Sequence, residues 1–363
     1  ILNASFFTQL FLWRFQQLIN NFERRIIKEI FNFMNSKKIN IGVIGVGHLG
    51  QHHVKHYVQM KNINFLGLHD NDSKRGLEIA KQYGVKYHDN VSSLMKGCDG
   101  ISIVTPTNAH YDVAKRALKE FNCNVFIEKP ITKTVSQADD LIKIAKNYNL
   151  IIQVGHIERL NPALKALQQY DLNPKFIEIQ RLAPYTDRGT DVPVVLDLMI
   201  HDIDILLSLV KSEVKSIHAS GVSILTDSVD IAHARIRFSN GTVSSVTSSR
   251  ISKDKVRKIK IFQDNLYSTI DLLIGQTEIY NITQDSKQIK NALIAESFSH
   301  KNKDKFITYE KPPVEDYDPL RMELDNFVNS ILKIEKPIVN GSDARNALDV
   351  VTKINKMILE DIK

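Results

Sequence analysis

Short apolar runs alternate with amphipathic stretches between residue 38 and residue 155. Apolar runs that are rich in β-branched residues predict buried strands, and stretches whose apolar positions recur every three or four residues predict helices. Strands that alternate with helices predict a doubly wound parallel sheet with right-handed crossovers. The predicted strands lie at 39–44, 65–68, 86–87, 100–104, 125–127 and 150–154, and the predicted helices lie at 73–83, 91–96, 111–121 and 135–148.

The second half of the chain changes to alternating apolar and polar positions, which are typical of strands with one buried face. Asn240-Gly241 predicts a hairpin turn, and the successive strands predict a large, mostly antiparallel open sheet. Residues 284–303 are mostly polar and predict a surface excursion without strand or helix. The predicted strands lie at 176–182, 214–224, 230–238, 242–250, 258–263, 268–273 and 277–282, and two helices are predicted at 319–332 and 343–358.

Composition narrows the class of protein. The chain has 363 residues, 43% of them hydrophobic and 25% charged, which is ordinary for a globular protein with more than one domain. The net charge of +7 comes without a long basic run, so nucleic acid is not an expected partner, whereas an anionic small ligand is compatible. The two cysteines, Cys98 and Cys123, cannot build a disulfide framework and predict reduced, buried thiols in a cytoplasmic protein.

Residues 1–33 differ from the rest of the chain. Their apolar residues recur at roughly helical spacing, but polar residues interrupt them too often for a bilayer span, so membrane insertion is not expected. Met34 directly precedes a polar lead-in to the first strand. We expect Met34 to be the natural start and residues 1–33 to be a translated upstream stretch, disordered or helical; a helix on a membrane surface is the alternative.

A glycine-rich loop follows the first predicted strand. Gly45-Val46-Gly47-His48-Leu49-Gly50 fits the G-x-G-x-x-G pattern between a strand and a helix, where the helix N-terminus faces the phosphates of a dinucleotide. The next predicted strand ends at Asp70, where a carboxylate is expected to bind the ribose hydroxyls. Such a carboxylate repels a 2′-phosphate, so NAD is predicted and NADP is less favoured, although the nearby Lys74 and Arg75 weaken that preference.

Two loops follow the third and fourth buried strands. Thr105-Pro106-Thr107-Asn108-Ala109-His110 and Glu128-Lys129-Pro130 both lie at predicted carboxyl ends of parallel strands, where ligands bind in such sheets. Both loops are therefore expected to border the nicotinamide. A strand-ending turn is the alternative interpretation of Thr105-Pro106.

The glycine loop, the T-P-x-x-x-H segment and the E-K-P segment, in this order and spacing, resemble the Gfo/Idh/MocA oxidoreductase family. The resemblance implies an α/β fold with an N-terminal Rossmann domain and a C-terminal α+β domain that carries the open sheet. We expect the NAD-binding domain at 34–155, the substrate and oligomerisation domain at 156–317, and helices at 318–363 that pack back on the Rossmann domain. It also implies a homodimer or homotetramer formed through the sheet.

A second group of polar residues lies between the two domains. Gly155-His156-Ile157-Glu158-Arg159-Leu160-Asn161-Pro162 resembles the family segment that crosses into the second domain, and places His156 at the cofactor. Asn161 is suited to cap a helix that begins with Pro162, and it is also a candidate for binding the substrate. Arg159 could bind a phosphate or form an interdomain ion pair. Tyr185 and Arg188 lie in a long polar loop before the next helix and are further candidates for the substrate.

Asp197 and His201 lie in the strongly apolar stretch 194–207, which predicts a helix. At positions i and i+4 they share a face and could form a carboxylate–imidazole pair. A structural hydrogen bond, metal ligation and acid–base catalysis are the possible reasons, but one carboxylate and one imidazole are too few for a zinc site. The resemblance supports catalysis, because the family has a D-x-x-x-H helix whose residues work with the E-K-P lysine.

The resemblance therefore implies a site of Lys129, Asp197 and His201. His201 would be the general base, Asp197 would orient it, and Lys129 would stabilise the developing alkoxide; Lys129 as the base is an alternative. Residues 155–162 and 187–204 look most like the subgroup that oxidises the 3-hydroxyl of UDP-N-acetylglucosamine for the 2,3-diamino sugar of lipid A. A simple sugar or inositol dehydrogenase, and a non-catalytic NAD-binding regulator, are the alternatives.

Overall fold

The computed structural model describes residues 38–186, 192–300 and 303–362, and its N-terminal layer is a five-stranded parallel sheet in the order β2-β1-β3-β4-β5. Residues 1–33, and with them the expected start at Met34, lie outside the described residues. The strands are β1 Ile39–Ile44, β2 Ile63–His69, β3 Gly100–Ile103, β4 Asn124–Glu128 and β5 Ile152–Gly155. The helices are α1 Gly50–Gln59, α2 Ser73–Tyr83, α3 Val91–Met95, α4 Thr107–Glu120 and α5 Val135–Tyr148.

Two local predictions in this layer differ from the structure. Residues 86–87 form only an isolated bridge, between Tyr87 and Leu68, and not a sixth strand. The helix predicted at 111–121 begins earlier, at Thr107. Pro106, which ends the loop after β3, occupies the N-cap position of this helix. The predicted doubly wound parallel sheet is confirmed.

A nine-stranded sheet forms the second layer, in the order β13-β14-β12-β11-β10-β6-β9-β8-β7. Its pairs are antiparallel except β6 with β9, which is parallel, so the prediction of a mostly antiparallel sheet is confirmed. The strands are β6 Phe176–Leu182, β7 Val214–Val222, β8 Ile231–Phe238, β9 Val243–Ser249, β10 Val256–Gln263, β11 Leu266–Asp271, β12 Gln276–Thr283, β13 Ile294–His300 and β14 Lys303–Glu310.

The prediction for residues 284–303 was wrong. This segment contains a short helix, α8 (Ser286–Asn291), and the edge strand β13, which pairs antiparallel with β14. Residues such as Ile294 and Glu296 are exposed along the edge strand, so no buried face imposes an alternating pattern on the sequence. Backbone hydrogen bonds to β14 hold this strand in the sheet, and the sequence has no side-chain periodicity that would predict the strand.

Helices cover the inner face of the large sheet. The single-turn helix α6 (Pro162–Lys165) precedes β6. A π-helical turn (Val195–Met199) and α7 (Ile200–Val210) follow β6. Among the C-terminal helices, α9 (Pro319–Ile331) packs on α1 and places Phe327 against Phe126 of β4, with ring centroids 5.9 Å apart. The last helix, α10 (Gly341–Asp361), packs on β7 and α7.

One hydrophobic cluster runs without interruption from the parallel sheet to the helices of the large sheet. It includes Ile103 and Val154 of the first layer and Ile200 and Ile179 of the second. Cys98 and Cys123 are free and buried, as expected. The described residues contain no helix that is long and apolar enough to cross a membrane.

A buried ionic cluster lies under the inner face of the large sheet. Arg181 on β6 is 3% exposed; it donates from Nε and Nη2 to Asp202 at 2.8–2.9 Å and from Nη1 to Glu158 at 3.0 Å. Arg257 on β10 donates to the same oxygen of Glu158 at 2.9 Å. Burial raises the pKa of Asp202, and the charge of Arg181 opposes that shift. Each buried charge therefore depends on its partner.

Removal of one member should be costly. Asp202→Ala leaves the Arg181 guanidinium buried without its main partner, so we expect the free energy of unfolding to fall by about 3–5 kcal/mol. Denaturant unfolding monitored by circular dichroism measures the change. The matched control is Asp264→Ala, which breaks the exposed Lys175–Asp264 pair of 2.6 Å and should cost less than about 1 kcal/mol. Equal losses in the two variants would contradict the assignment.

Candidate active site

The glycine loop between β1 and α1 has the backbone that a dinucleotide requires. Gly45 has a φ of +87°, and a Cβ there would lie 2.7 Å from the backbone of Val104. A Cβ on Gly50 would overlap the carbonyl oxygen of Gly45, so strand and helix pack closely only with glycine. A Cβ on Gly47 would meet no described atom within 4 Å. Gly47, together with the exposed His48-Leu49, therefore leaves an open approach to the start of α1.

Asp70 follows β2 and turns its carboxylate toward this loop. Its Oδ2 accepts a hydrogen bond from the backbone N–H of Val46 at 2.6 Å. Arg75 donates from Nε to the carbonyl oxygen of Val46 at 3.2 Å, and its terminal nitrogens donate to Gln51 and Glu78. The carboxylate thus lies beside the glycine loop, and the Arg75 donors are engaged within the protein.

His110 ties together the two loops that follow β3 and β4. Its Nδ1 lies 2.9 Å from the carbonyl oxygen of Pro130, and its Nε2 lies 2.8 Å from that of Thr105. Burial lowers the pKa of His110, although both carbonyl oxygens oppose the shift. The hydroxyl of Thr105 is buried and has no hydrogen-bond partner among the described residues. Pro106 and Thr107 begin α4 beside it, so this edge of the sheet offers an unused polar group to a ligand.

Lys129 reaches across from the end of β4 to the second domain. Its Nζ donates to the backbone carbonyl of Asp197 at 2.9 Å and to Oδ1 of the same residue at 3.2 Å. The stretch predicted as one helix is a π-helical turn around Asp197 followed by α7. Within the described contacts no hydrogen bond joins Asp197 to His201, contrary to the expected pair. The Lys129 ammonium is a stronger donor than a neutral imidazole, so the Asp197 carboxylate is bound by Lys129.

His201 stands at the start of α7, next to His156. The two rings meet edge to face, with centroids 6.2 Å apart. Burial lowers the pKa of His201 well below its ordinary value, and the positive charges of Lys129 and Arg181 add to the shift. His156 is 1% exposed and burial lowers its pKa too. Both nitrogens of His156, and Nδ1 of His201, lack a hydrogen-bond partner among the described residues. Burial therefore favours the neutral form of both imidazoles.

The structure assigns internal partners to two predicted substrate residues. Arg159 donates from Nε and Nη2 to the two carboxylate oxygens of the buried Asp204 at 2.7 and 2.9 Å, and since both residues lie within 156–317, this is not the interdomain ion pair that the sequence analysis considered. Asn161 caps α6 and donates to the carbonyl oxygen of Leu272 at 3.0 Å. Tyr185 is 44% exposed. Arg188 lies outside the described residues.

A chain of buried polar side chains behind β4 was missed by the sequence analysis. Nε2 of His53 lies 3.2 Å from Oε1 of Glu128, and its Nδ1 lies 3.4 Å from Oγ of Ser102, which lies 2.9 Å from the hydroxyl of Tyr57. The signal in the sequence was weak: a histidine on a helix face and a serine inside an apolar strand are also compatible with unrelated local hydrogen bonds.

A second buried group, Glu323, was also missed by the sequence analysis. Glu323 of α9 is 2% exposed, and burial and the nearby charge of Glu128 raise its pKa well above the ordinary value, which favours its neutral form. Its backbone carbonyl accepts a hydrogen bond from Nε2 of Gln153 at 2.9 Å. Only the approach of α9 to the parallel sheet brings this carboxyl group to the site.

Fold and site together define a class of protein. A nicotinamide dinucleotide fits this edge of the sheet: the glycine loop is open at Gly47, the Asp70 carboxylate lies beside the loop, and the Thr105 hydroxyl has no hydrogen-bond partner among the described residues. Lys129 and His201 are contributed by the two domains. Within the described residues, no group of three or more His, Cys, Asp or Glu side chains could hold a metal ion. The arrangement is that of a nicotinamide-dependent oxidoreductase.

Comparisons with known proteins agree. A family model described as the oxidoreductase family with an NAD-binding Rossmann fold matches residues 39–156, and a model of the GFO/IDH/MocA C-terminal domain matches residues 169–265. The chain belongs to the Gfo/Idh/MocA oxidoreductase family. The resemblance drawn from the motifs, the fold class and the prediction of an oxidoreductase with a nicotinamide cofactor are thereby confirmed.

Several relatives are known by their reaction. The chain is 37% identical over 241 residues to the UDP-N-acetylglucosamine 3-dehydrogenase of Acidithiobacillus ferrooxidans, an alignment that covers 66% of this chain and 76% of that protein. A solved structure of that dehydrogenase superposes with a TM-score of 0.78 at 31% identity and covers 89% of this chain and 98% of that one. The NAD⁺-dependent scyllo-inositol 2-dehydrogenase of Bacillus subtilis is 27% identical over 235 residues, or 59% of this chain and 68% of that protein.

The His201 environment can be tested without substrate. Because the charge of Lys129 adds to the lowering by burial, Lys129→Met should raise the pKa of His201 while leaving it below 6.5. A pH titration of the histidine ring resonances by NMR measures the shift. Lys133→Met removes an exposed lysine from the next loop and serves as the control. An unchanged or lower His201 pKa in Lys129→Met would contradict the geometry described.

Proposed function

We propose that this protein oxidises the 3-hydroxyl of UDP-N-acetylglucosamine with NAD⁺. The observation that carries the proposal is the 37% identity over 241 residues to a UDP-N-acetylglucosamine 3-dehydrogenase. The product, a 3-keto sugar nucleotide, suits an aminotransferase that makes the 2,3-diamino sugar of lipid A. Arg188 is our proposed partner for the diphosphate, since Nε and Nη2 of Arg159 already donate to Asp204.

His201 is the proposed general base. Its lowered pKa keeps the imidazole unprotonated, so it can accept the proton of the sugar hydroxyl near neutral pH. The nicotinamide supplies the acceptor for the hydride that leaves the same carbon. His156, packed edge to face against His201, holds the ring in place, and its unpartnered nitrogens are available to the cofactor or substrate.

Lys129 is the proposed electrostatic group. The Lys129 side chain is 19% exposed, and its ammonium can hydrogen-bond the reacting oxygen, where it stabilises negative charge as the proton leaves. Asp197 acts on Lys129 and not on His201: its carbonyl and carboxylate oxygens orient the ammonium. A lysine base is the second assignment within the same site, but Nζ of Lys129 already donates to two oxygens of Asp197, which favours the histidine as the base.

NAD⁺ is the proposed cofactor rather than NADP⁺. The Asp70 carboxylate beside the glycine loop can accept from ribose hydroxyls and would repel a 2′-phosphate. Arg75 is the nearest candidate for a phosphate partner, but its three donor groups are directed to Val46, Gln51 and Glu78. Lys74 is exposed and carries the remaining possibility of binding a 2′-phosphate.

We also propose that the large sheet is the surface through which copies of this chain associate. On the face opposite the helices, aromatic side chains stack across neighbouring strands, with ring centroids between 4.8 and 6.0 Å apart. Phe176 and Phe262 in this row are 37% and 38% exposed, which is unusual for phenylalanine at the centre of a sheet. The aromatic row comprises Phe176, Phe262, Tyr267, Tyr280 and Tyr309.

The second candidate function is an inositol or simple sugar dehydrogenase, which the similarity to the scyllo-inositol 2-dehydrogenase of Bacillus subtilis favours.

The purified protein should reduce NAD⁺ with UDP-N-acetylglucosamine much faster than with myo-inositol or free hexoses, and faster than it reduces NADP⁺. Absorbance of the reduced nicotinamide at its ultraviolet maximum measures the rates. Reduction with myo-inositol alone would overturn the substrate proposal.

The catalytic assignments are tested in the same assay. Lys129→Ala and His201→Ala should each lower kcat by about 10²- to 10⁴-fold, because each removes a group positioned at the reacting oxygen. Lys133→Ala and His218→Ala remove an exposed lysine and an exposed histidine elsewhere, and should leave kcat unchanged. NADH binding, followed by fluorescence, should persist in all four variants. Undiminished turnover in Lys129→Ala and His201→Ala would exclude the mechanism.

A further inference from the structure

A buried chain of hydrogen bonds runs from α1, the helix after the glycine loop, to the residue before Lys129. Glu128 closes β4, and its carboxylate has two contacts: Oε1 lies 3.2 Å from Nε2 of His53, and Oε2 accepts the backbone N–H of Lys129 at 3.3 Å. His53 is 1% exposed. The carboxylate thus connects the helix that begins at the cofactor loop with the backbone of the catalytic lysine.

The chemistry of the partners sets the direction of the chain. A carboxylate can only accept, so Nε2 of His53 carries the proton that it shares with Glu128. On the other side of the ring, Nδ1 lies 3.4 Å from the Ser102 hydroxyl, which lies 2.9 Å from the hydroxyl of Tyr57. The orientation of the imidazole is therefore determined from both sides.

The space around the Glu128 carboxylate is restricted as well. A Cβ on Gly155 of the neighbouring strand β5 would lie 2.8 Å from Oε1, so the carboxylate packs directly on a bare backbone. The ring of Phe126 packs edge to face on His53, with centroids 5.4 Å apart. The neutral form of Glu323 is favoured by burial and by the charge of Glu128. Glu128 therefore has one well-defined position, and it depends on the donor from His53.

We propose that His53 is a positioning residue, which through Glu128 holds the backbone of Lys129 so that its ammonium reaches Asp197 and the reacting oxygen. This inference rests on the proposed catalytic role of Lys129 and extends it to a residue on the cofactor-binding helix. A displacement of about 1 Å at a reacting group can lower a rate by about 100-fold, so the loss of one buried donor should be visible in kcat.

The test compares two substitutions at one position. His53→Leu removes the donor and should lower kcat with NAD⁺ and UDP-N-acetylglucosamine by about 10- to 100-fold, with KM for NAD⁺ and NADH affinity little changed. His53→Gln retains an N–H donor near the Nε2 position and should restore most of the loss. The matched control is His56→Leu, which removes a buried histidine from the same helix that contacts Asp318 at 3.3 Å, remote from Lys129; its kcat should equal that of the wild type.

A readout without substrate separates this inference from the proposed function. If His53→Leu lets Lys129 move, the pKa of His201 measured by NMR should rise, as in Lys129→Met, and should return toward the wild-type value in His53→Gln. Wild-type kcat and an unchanged His201 pKa in His53→Leu would overturn the positioning role, as would a His53→Gln variant as impaired as His53→Leu. Full turnover in Lys129→Ala would instead overturn the catalytic assignment of Lys129.

Discussion

The site depends on one charge-assisted contact, in which Nζ of Lys129 donates to both the carbonyl and the carboxylate of Asp197. The two residues are 68 positions apart in the chain and belong to different domains. The Lys129 side chain is 19% exposed; its ammonium would be costly to desolvate alone, and two oxygen acceptors offset that cost. The same contact keeps the positive charge near His201, where it helps to lower the pKa of the proposed base.

Neither domain can build this arrangement alone. The parallel sheet presents the glycine loop, Asp70 and Lys129 at its carboxyl edge, and the π-helical turn with α7 supplies Asp197 and His201. The two halves are joined by a continuous hydrophobic cluster, so their relative position is set by packing close to the site.

Much of the fold could be predicted from periodicity, because buried strands and amphipathic helices place apolar residues at regular spacings along the sequence. The glycine loop and the two strand-ending loops lie at the sheet edge where the parallel topology predicts them. Strand β13 could not be found, since an exposed edge strand has no buried face to mark it. The π-helical turn was equally hidden, because the spacing of Asp197 and His201 suggested a pair, whereas the carboxylate is taken by a lysine far away in sequence.

The buried polar residues show the same limit. Asn161 was predicted to cap a helix, and it does, because capping is local chemistry. The partners of His53, Arg159 and Glu323 come from other elements, and spacing along the chain does not determine which of them meet. Such pairings depend on tertiary packing, so the sequence could name the chemical groups of the site but not the contacts that orient them.

The central claim is that a hydride leaves the sugar carbon at this two-domain site. The most direct measurement uses UDP-N-acetylglucosamine deuterated at carbon 3, with NMR analysis of the reduced nicotinamide after turnover by the purified protein. Our account predicts deuterium at carbon 4 of the nicotinamide on one face, and loss of that transfer in Lys129→Ala. Reduced nicotinamide without deuterium, formed from the deuterated sugar, would contradict it.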